Sequence, residues 1–153
     1  GKKHRMADYG YVFGTEPLVA YLYGESGSAD VRELLEEVES EITTAAISHA
    51  TATETVYKVA RLETGNPNEA TPTDDDIETG EQNLRVLRGF GLSVETPSWR
   101  AVAPIKASGG ISLADSYAAG LALETGATLV VGADPEFDGI DAEIDLLRVR
   151  GTA

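Results

Sequence analysis

The stretch from Ile111 to Asp138, ISLADSYAAGLALETGATLVVGADPEFD, limits the fold more tightly than any other part of the chain. Ser112 precedes an apolar pattern of helical period, Leu113, Tyr117 and Leu121, with Ala114, Ala118 and Ala122 filling the face. Ser112 is therefore placed to cap a helix, and Gly126 to end it. Ala127 to Val131 is a continuous apolar run, as a parallel strand buried on both faces requires. Gly132-Ala133-Asp134 follows at its carboxyl end. Ligands of open α/β sheets sit outside the carboxyl ends of the strands, so Asp134 stands where chemistry is done. Asp115, opening the preceding helix, can face the same crevice.

The same grammar runs along the rest of the chain. Tyr11 to Phe13 is a short apolar run closed by Gly14 and Thr15, and Pro17 falls in the first turn of a helix through Leu18, Val19, Leu22 and Tyr23. After a polar turn at Gly24 to Ser28, Ala29 to Ser40 is an amphipathic helix with Val31, Leu34, Leu35 and Val38 on one face. Glu41 to Ala46 has the β-branched content of a strand. Ser48 then caps a helix over Ala50 to Leu62 that buries Val56, Val59 and Ala60. Beyond the loop Thr64 to Pro72, Thr73 caps a helix whose first turn, Asp74-Asp75-Asp76, suits the positive end of the helix dipole. That acid run reads as capping and surface hydration rather than a metal site. Ile77, Leu84 and Leu87 form the helix's apolar seam, and Gly89 and Gly91 close it. Leu92 to Glu95 is a short strand. Ser98 opens a helix through Val102 and Ile105, in which Pro104 predicts a kink or an early stop near Ala103. Ile144 to Val149 is a final apolar strand at a sheet edge. Alternation of this kind implies a three-layer α/β/α sandwich around a parallel sheet.

A chain of 153 residues is long enough for one domain with a real core. It has no cysteine, which excludes disulfides, zinc-thiolate sites and thiol catalysis and fits a cytoplasmic location. No apolar run approaches about 18 residues and no signal peptide is visible, so a soluble protein without membrane contact is expected. Gly1 to Arg5 carry three of the twelve basic residues and read as an appended remnant before a native start at Met6, which places the domain at 6–153. Setting those three charges aside takes the formal net charge from −14 to −17 and leaves Lys58 and Lys106 as the only lysines. This is the composition of a protein adapted to high salt, as in a halophilic archaeon, because Asp and Glu keep a surface hydrated while salt screens their repulsion. It also argues against tight nonspecific nucleic-acid binding in dilute buffer. Outside the first residues His49 is the only histidine, so a histidine-based metal site cannot be built. Neither phosphate-binding glycine motif of the nucleotide folds is present.

In order and spacing these motifs resemble a PIN domain, the nuclease fold of VapC-type toxins. The segment SLADSYAAGLALETGATLVVGADPEFD is similar to the C-terminal half of that family, whose usual form is closer to SLADA…A…GA.LVTGD..F. In ISHATATETVYKVAR an Ile-Ser pair is followed by a helical Glu, as in the family pattern. The resemblance covers Tyr11 to about Val149. It implies that Glu54, Asp115 and Asp134 hold a divalent metal, Mg2+ or Mn2+, and carry the catalysis. Asp138 is a further acid in reach, and Thr15, with Ser112 as a second hydroxyl, would orient water or phosphate. Clustered carboxylates suit such chemistry because hard cations take oxygen ligands, activate water and neutralise developing phosphorane charge.

The family's first strand ends in an Asp, as in VFDT, and that Asp is its first metal-holding acid; Gly14 occupies the position here. The resemblance thus implies a metal-dependent endoribonuclease of the VapC toxin type, impaired by Gly14. It would cleave RNA, be held in check by a cognate antitoxin, and pair as a homodimer through apolar residues such as Leu18, Tyr21 and Tyr23. The alternative is a catalytically silent PIN module that binds RNA or a protein partner. A phospho-receiver ranks last, since no acceptor Asp follows Leu92 to Glu95 and no lysine follows Lys106. Each candidate also has a purely structural reading. Asp115 is Ser112 plus three, the spacing of a capping box. Glu54 is one more acid on an acidic surface, and Asp134 precedes Pro135 as turn-forming Asp residues do. Asp138 belongs to a charge run with Glu136 and Asp141, and Thr15 is placed as a helix N-cap.

Overall fold

A computed structural model of the protein describes residues 8–140 and 143–149. The remnant expected at Gly1 to Arg5, and with it the boundary at Met6, lies outside the described residues. Five parallel strands form one sheet: β1 (Tyr11–Phe13), β2 (Ala45–Ser48), β3 (Ser93–Glu95), β4 (Thr128–Val131) and β5 (Leu146–Arg148), in the order β3-β2-β1-β4-β5. The helices are α1 (Thr15–Leu22), α2 (Ser28–Glu39), α3 (His49–Glu63), α4 (Asp74–Arg88), α5 (Trp99–Ala107) and α6 (Leu113–Thr125).

The period-2 alternation of side chains divides the sheet between two cores. Val12, Ala46, Leu129 and Val131 face α6, packing on Ala118, Leu121 and Ala122. Their neighbours Phe13, Ala45, Ile47 and Val130 face the other way, onto Leu18 of α1, Val31 and Leu35 of α2, and Leu87 of α4. Helices therefore cover both faces, and the three-layer sandwich follows. Leu129, Leu121 and Phe13 are fully buried, and each contributes roughly 1.5–3 kcal/mol by leaving water.

The chain runs outward from β1 through β2 to β3, then returns to lay β4 on the opposite side of β1. That reversal makes the carboxyl edge of β1 and β4 the topological switch point, where α/β sheets open a crevice. Phe13 pairs with Val130 in register, and Gly14 N–H continues the ladder to the Val130 carbonyl at 2.9 Å. Position 14 and the loop after β4 are thereby set side by side.

Four local expectations are corrected. β2 begins at Ala45 rather than Glu41, because Glu41 adopts φ 61°, and Ile42 N–H turns back to the Glu37 carbonyl to close α2. Pro104 neither stops nor ends α5, which continues to Ala107. Its missing N–H deprives only the carbonyl of Arg100, a residue in the exposed first turn, and the Ser108 N–H closes the helix on Pro104 and Ile105. Val56 is half-buried rather than buried, while Val59 and Ala60 are in the interior as expected. Leu18, expected to offer apolar surface to a second copy, is fully buried between α1 and the sheet; Tyr21 packs edge-on against Phe90, which leaves only Tyr23 of the three exposed. No described helix is long and apolar enough to cross a membrane.

Candidate active site

At the switch point a cleft of about 650 Å³ opens between the starts of α1 and α6, the middle of α3 and the loop after β4. Glu54, Asp115 and Asp134 all line it, as do Thr15, Ser112 and Gly14. The local reasons lie in the caps. Ser48 Oγ accepts the Thr51 N–H at 2.9 Å and fixes the start of α3, so that Glu54 falls near the second turn. Ser112 Oγ accepts the Asp115 N–H at 3.2 Å and starts α6 at the rim, while Gly126, at φ 71°, ends that helix and turns the chain into β4.

Asp115, Asp134 and Glu136 each offer a carboxylate oxygen within 4.8 Å of the other two. Glu54 lines the cleft outside that trio. Asp134 serves two ends at once: its Oδ1 accepts the Glu136 N–H at 2.9 Å, capping the single 3-10 turn Pro135–Phe137, whose buried Phe137 anchors the loop. The capping-box reading of Asp115 is only half realised. Ser112 caps Asp115, but the reciprocal bond is absent, because Glu136 Oε1 takes the Ser112 N–H at 2.5 Å. The carboxylate of Asp115 is thereby left to the cleft.

Burial pushes the Asp115 carboxyl from its ordinary 3.8 up to about 7. The Ser112 hydroxyl pulls it back down, whereas the charge and hydrogen bond of Glu136 and the charge of Glu54 push it further up. Hard carboxylate oxygens close together form a donor set that fits a hard divalent cation.

Asp138 takes another course. It is exposed, is not part of the cleft wall, and its Oδ1 pairs with Arg148 Nη2 at 2.5 Å. The same guanidinium donates through Nη1 to the carbonyls of Gly132 and Asp134, each at 3.0 Å, so β5 clamps the loop that carries Asp134. Thr15 is buried as the first residue of α1 rather than its cap. The N-cap is Gly14, with no side chain to receive the helix's first N–H groups. Its backbone is extended, φ −77° and ψ 175°, and a Cβ there would stand 3.4 Å from the Val130 carbonyl oxygen and 3.9 Å from Val131 Cγ1. Those are ordinary contacts, so nothing in the fold requires glycine at position 14.

The family described as PIN domain matches residues 11–143. The chain belongs to the PIN domain family. Among solved structures this PIN domain is similar to the crystal structure of VapBC2 from Rickettsia felis bound to a DNA fragment from their promoter, with a TM-score of 0.63 and 20% sequence identity over 90% of this chain and 97% of that chain. At that identity the likeness speaks for the fold. A comparison with curated proteins finds no match.

Four residues of the PIN domain's cleft region escaped sequence reasoning. Glu136 was grouped with its acidic neighbours, although its place one residue before the buried Phe137 turns it inward. Arg148 carried no signal, being one basic residue in an apolar strand. Glu16 and Lys58 line the cleft from α1 and α3. Lys58 sits one turn beyond Glu54 and forms no ion pair among the described residues, in a chain nearly devoid of lysine.

Proposed function

We propose that this PIN domain is a metal-dependent endoribonuclease of the VapC toxin type, weakened by Gly14. PIN domains are generally nucleases. The observation that carries the reading is the trio Asp115, Asp134 and Glu136, with oxygens within 4.8 Å at the sheet's switch point and Glu54 on the same cleft wall. A bound Mg2+ or Mn2+ would supply charge neutralisation at the phosphate and acidify a water molecule. The chain's own residues divide the remaining work. Asp115 and Asp134 would hold the cation, with Glu54 and Glu136 as supporting acids. Arg148 keeps the Asp134 loop in place from behind. Lys58, the one cationic side chain on the cleft wall among the described residues, would meet an RNA phosphate, and Thr15, which also lines the cleft, would orient water or a phosphate oxygen.

Position 14 borders the same edge, and a carboxylate there would fit the space. Its loss removes one oxygen donor, which weakens both cation affinity and the placement of the attacking water. An antitoxin is the proposed protein partner, since the similar structure is a VapBC2 assembly, and the homodimer and the cytoplasm remain part of the proposal.

Gly14 itself favours the second reading, a silent module that binds RNA or a protein without cutting. One assay separates the two. The protein as it stands, Gly14→Asp, and Gly14→Asp with Asp115→Asn are incubated with structured RNA and Mn2+ in molar KCl, with EDTA as control. Endoribonuclease chemistry requires cleavage to rise in the single variant and to be lost in the double one. RNA binding without cleavage in all three would establish the silent module.

A further inference from the structure

A protein with a net charge of −14 meets RNA with little electrostatic help. In the high salt that such a surface suits, contacts between cations and phosphates are screened as well. Stacking of a base on an aromatic ring acts at contact range and needs no net charge. Three aromatic side chains are exposed among the described residues: Tyr23, Tyr57 and Trp99. Tyr23 donates its hydroxyl to Glu63, an acid that repels phosphate, and Trp99 opens α5, none of whose residues lines the cleft. Tyr57 differs from both. It stands on α3 three residues after Glu54 and directly before Lys58, and those two line the cleft. Glu54, Tyr57, Lys58 and Arg61 share one face of the helix, where neighbours have Cβ atoms about 5–6 Å apart, on the order of one to two nucleotides of a stacked strand.

The ring is also held in place. Arg61 Nη1 donates to the Tyr57 hydroxyl at 2.6 Å, Arg61 Nε donates to the Pro67 carbonyl at 2.6 Å, and the guanidinium carbon lies 5.4 Å from the ring centre. Arg61 forms no ion pair among the described residues, so its charge stays beside the ring. Tyr57 is nevertheless 44% exposed. A ring that is ordered before its partner arrives loses little freedom on binding.

We infer that Tyr57 is the platform on which an unpaired base of the RNA substrate stacks, beside the phosphate held in the cleft. The inference rests on RNA being the substrate, as proposed above, and adds the side chain that seats the strand outside the cleft. The base is unpaired because bases inside a duplex have no free face to offer.

The probe is an unstructured oligoribonucleotide carrying 2-aminopurine at successive positions, titrated into the full chain in molar KCl with Ca2+ in place of Mn2+. One position should be quenched on binding. Tyr57→Leu should remove that quench and weaken binding about tenfold; Tyr57→Phe keeps the ring and should retain both, and Trp99→Leu should alter neither. An abasic nucleotide at the quenched position should weaken binding to the parent by a similar factor, and Tyr57→Leu should add little to that loss. Circular dichroism confirms folding for each, and the abasic measurement on the parent needs no variant. If Tyr57→Leu binds like the parent with the quench intact, or if its loss adds in full to the abasic one, the platform is overturned, while cleavage of the same strand by Gly14→Asp with Mn2+ leaves the ribonuclease reading standing. If neither the parent nor Gly14→Asp binds or cuts RNA, the ribonuclease reading fails, and the platform fails with it.

Discussion

Replacing Asp115 with Asn should stabilise the metal-free protein, and only where the native carboxyl is forced to ionise. The folded-state pKa is raised from 3.8 to about 7, chiefly by burial. Below pH 4 the carboxyl is protonated in folded and unfolded chains alike and contributes nothing. Between pH 4 and 7 the unfolded chain releases the proton while the folded one keeps it, so stability declines as pH rises and the loss is complete above pH 7. A shift of about 3 units corresponds to at most ~4 kcal/mol. Because Asp115 is only half-buried, solvent screening reduces this to ~1–2 kcal/mol. Asn fills the same space, lacks the charge, and leaves the backbone cap to Ser112 intact. At pH 8 in EDTA the variant should therefore melt roughly 2–8 °C higher than the parent; at pH 4 the two should coincide. Adding Mn2+ should reverse the order at pH 8, since the parent gains from binding and the variant gains far less. The assay is a set of thermal melts by circular dichroism across pH 4 to 8, with and without Mn2+. A difference that does not change with pH, or a variant less stable at pH 8 in EDTA, would refute the claim that Asp115 is ionised at a cost.

The remaining predictions probe the frame around the cleft. Arg148→Ala removes the clamp on the Gly132 and Asp134 carbonyls; it should cost about 1–3 kcal/mol in urea unfolding and weaken Mn2+ binding, whereas Arg85→Ala, an exposed side chain on α4, should do neither. A Cβ at Gly80 would collide with the Val56 carbonyl oxygen where α4 crosses α3, so Gly80→Ala should destabilise by about 1–3 kcal/mol, and a melting temperature within error of the parent would show that the helices part without cost. With a net charge of −14, the melting temperature should climb steadily from dilute buffer into molar KCl as self-repulsion is screened; a flat response would remove the argument for adaptation to high salt. Sedimentation in high salt should show a dimer, and a monomer-sized species alone would count against pairing.

What the sequence determined by itself was most of the helix caps and strand positions, which depend on a few neighbouring residues. The caps at Ser48, Thr73 and Ser112 and the stop at Gly126 are where local hydrogen-bonding chemistry puts them, down to the reciprocal bond between Thr73 and Asp76. The short apolar run at Tyr11 to Phe13 announced a strand, the longer one at Ala127 to Val131 a strand buried on both faces, and alternation with helices then implied a parallel sheet. Asp134 and Asp115 were legible from their places at a strand's end and a helix's start, and Glu54 through the resemblance to the PIN pattern. Tertiary structure decided which carboxylate faces which. Glu136 reaches across 24 residues to take the Ser112 N–H, and it is this that leaves Asp115 facing the cleft. Arg148 draws Asp138 away to an ion pair, so two acids in one charge run have opposite roles. Glu16 lies over Gly132 only because β1 and β4, far apart in the chain, are adjacent in the sheet. The direction of a charged side chain is set by the cations, donors and voids that other segments bring to it. In a parallel sheet those segments arrive through long crossovers, beyond the reach of any local pattern.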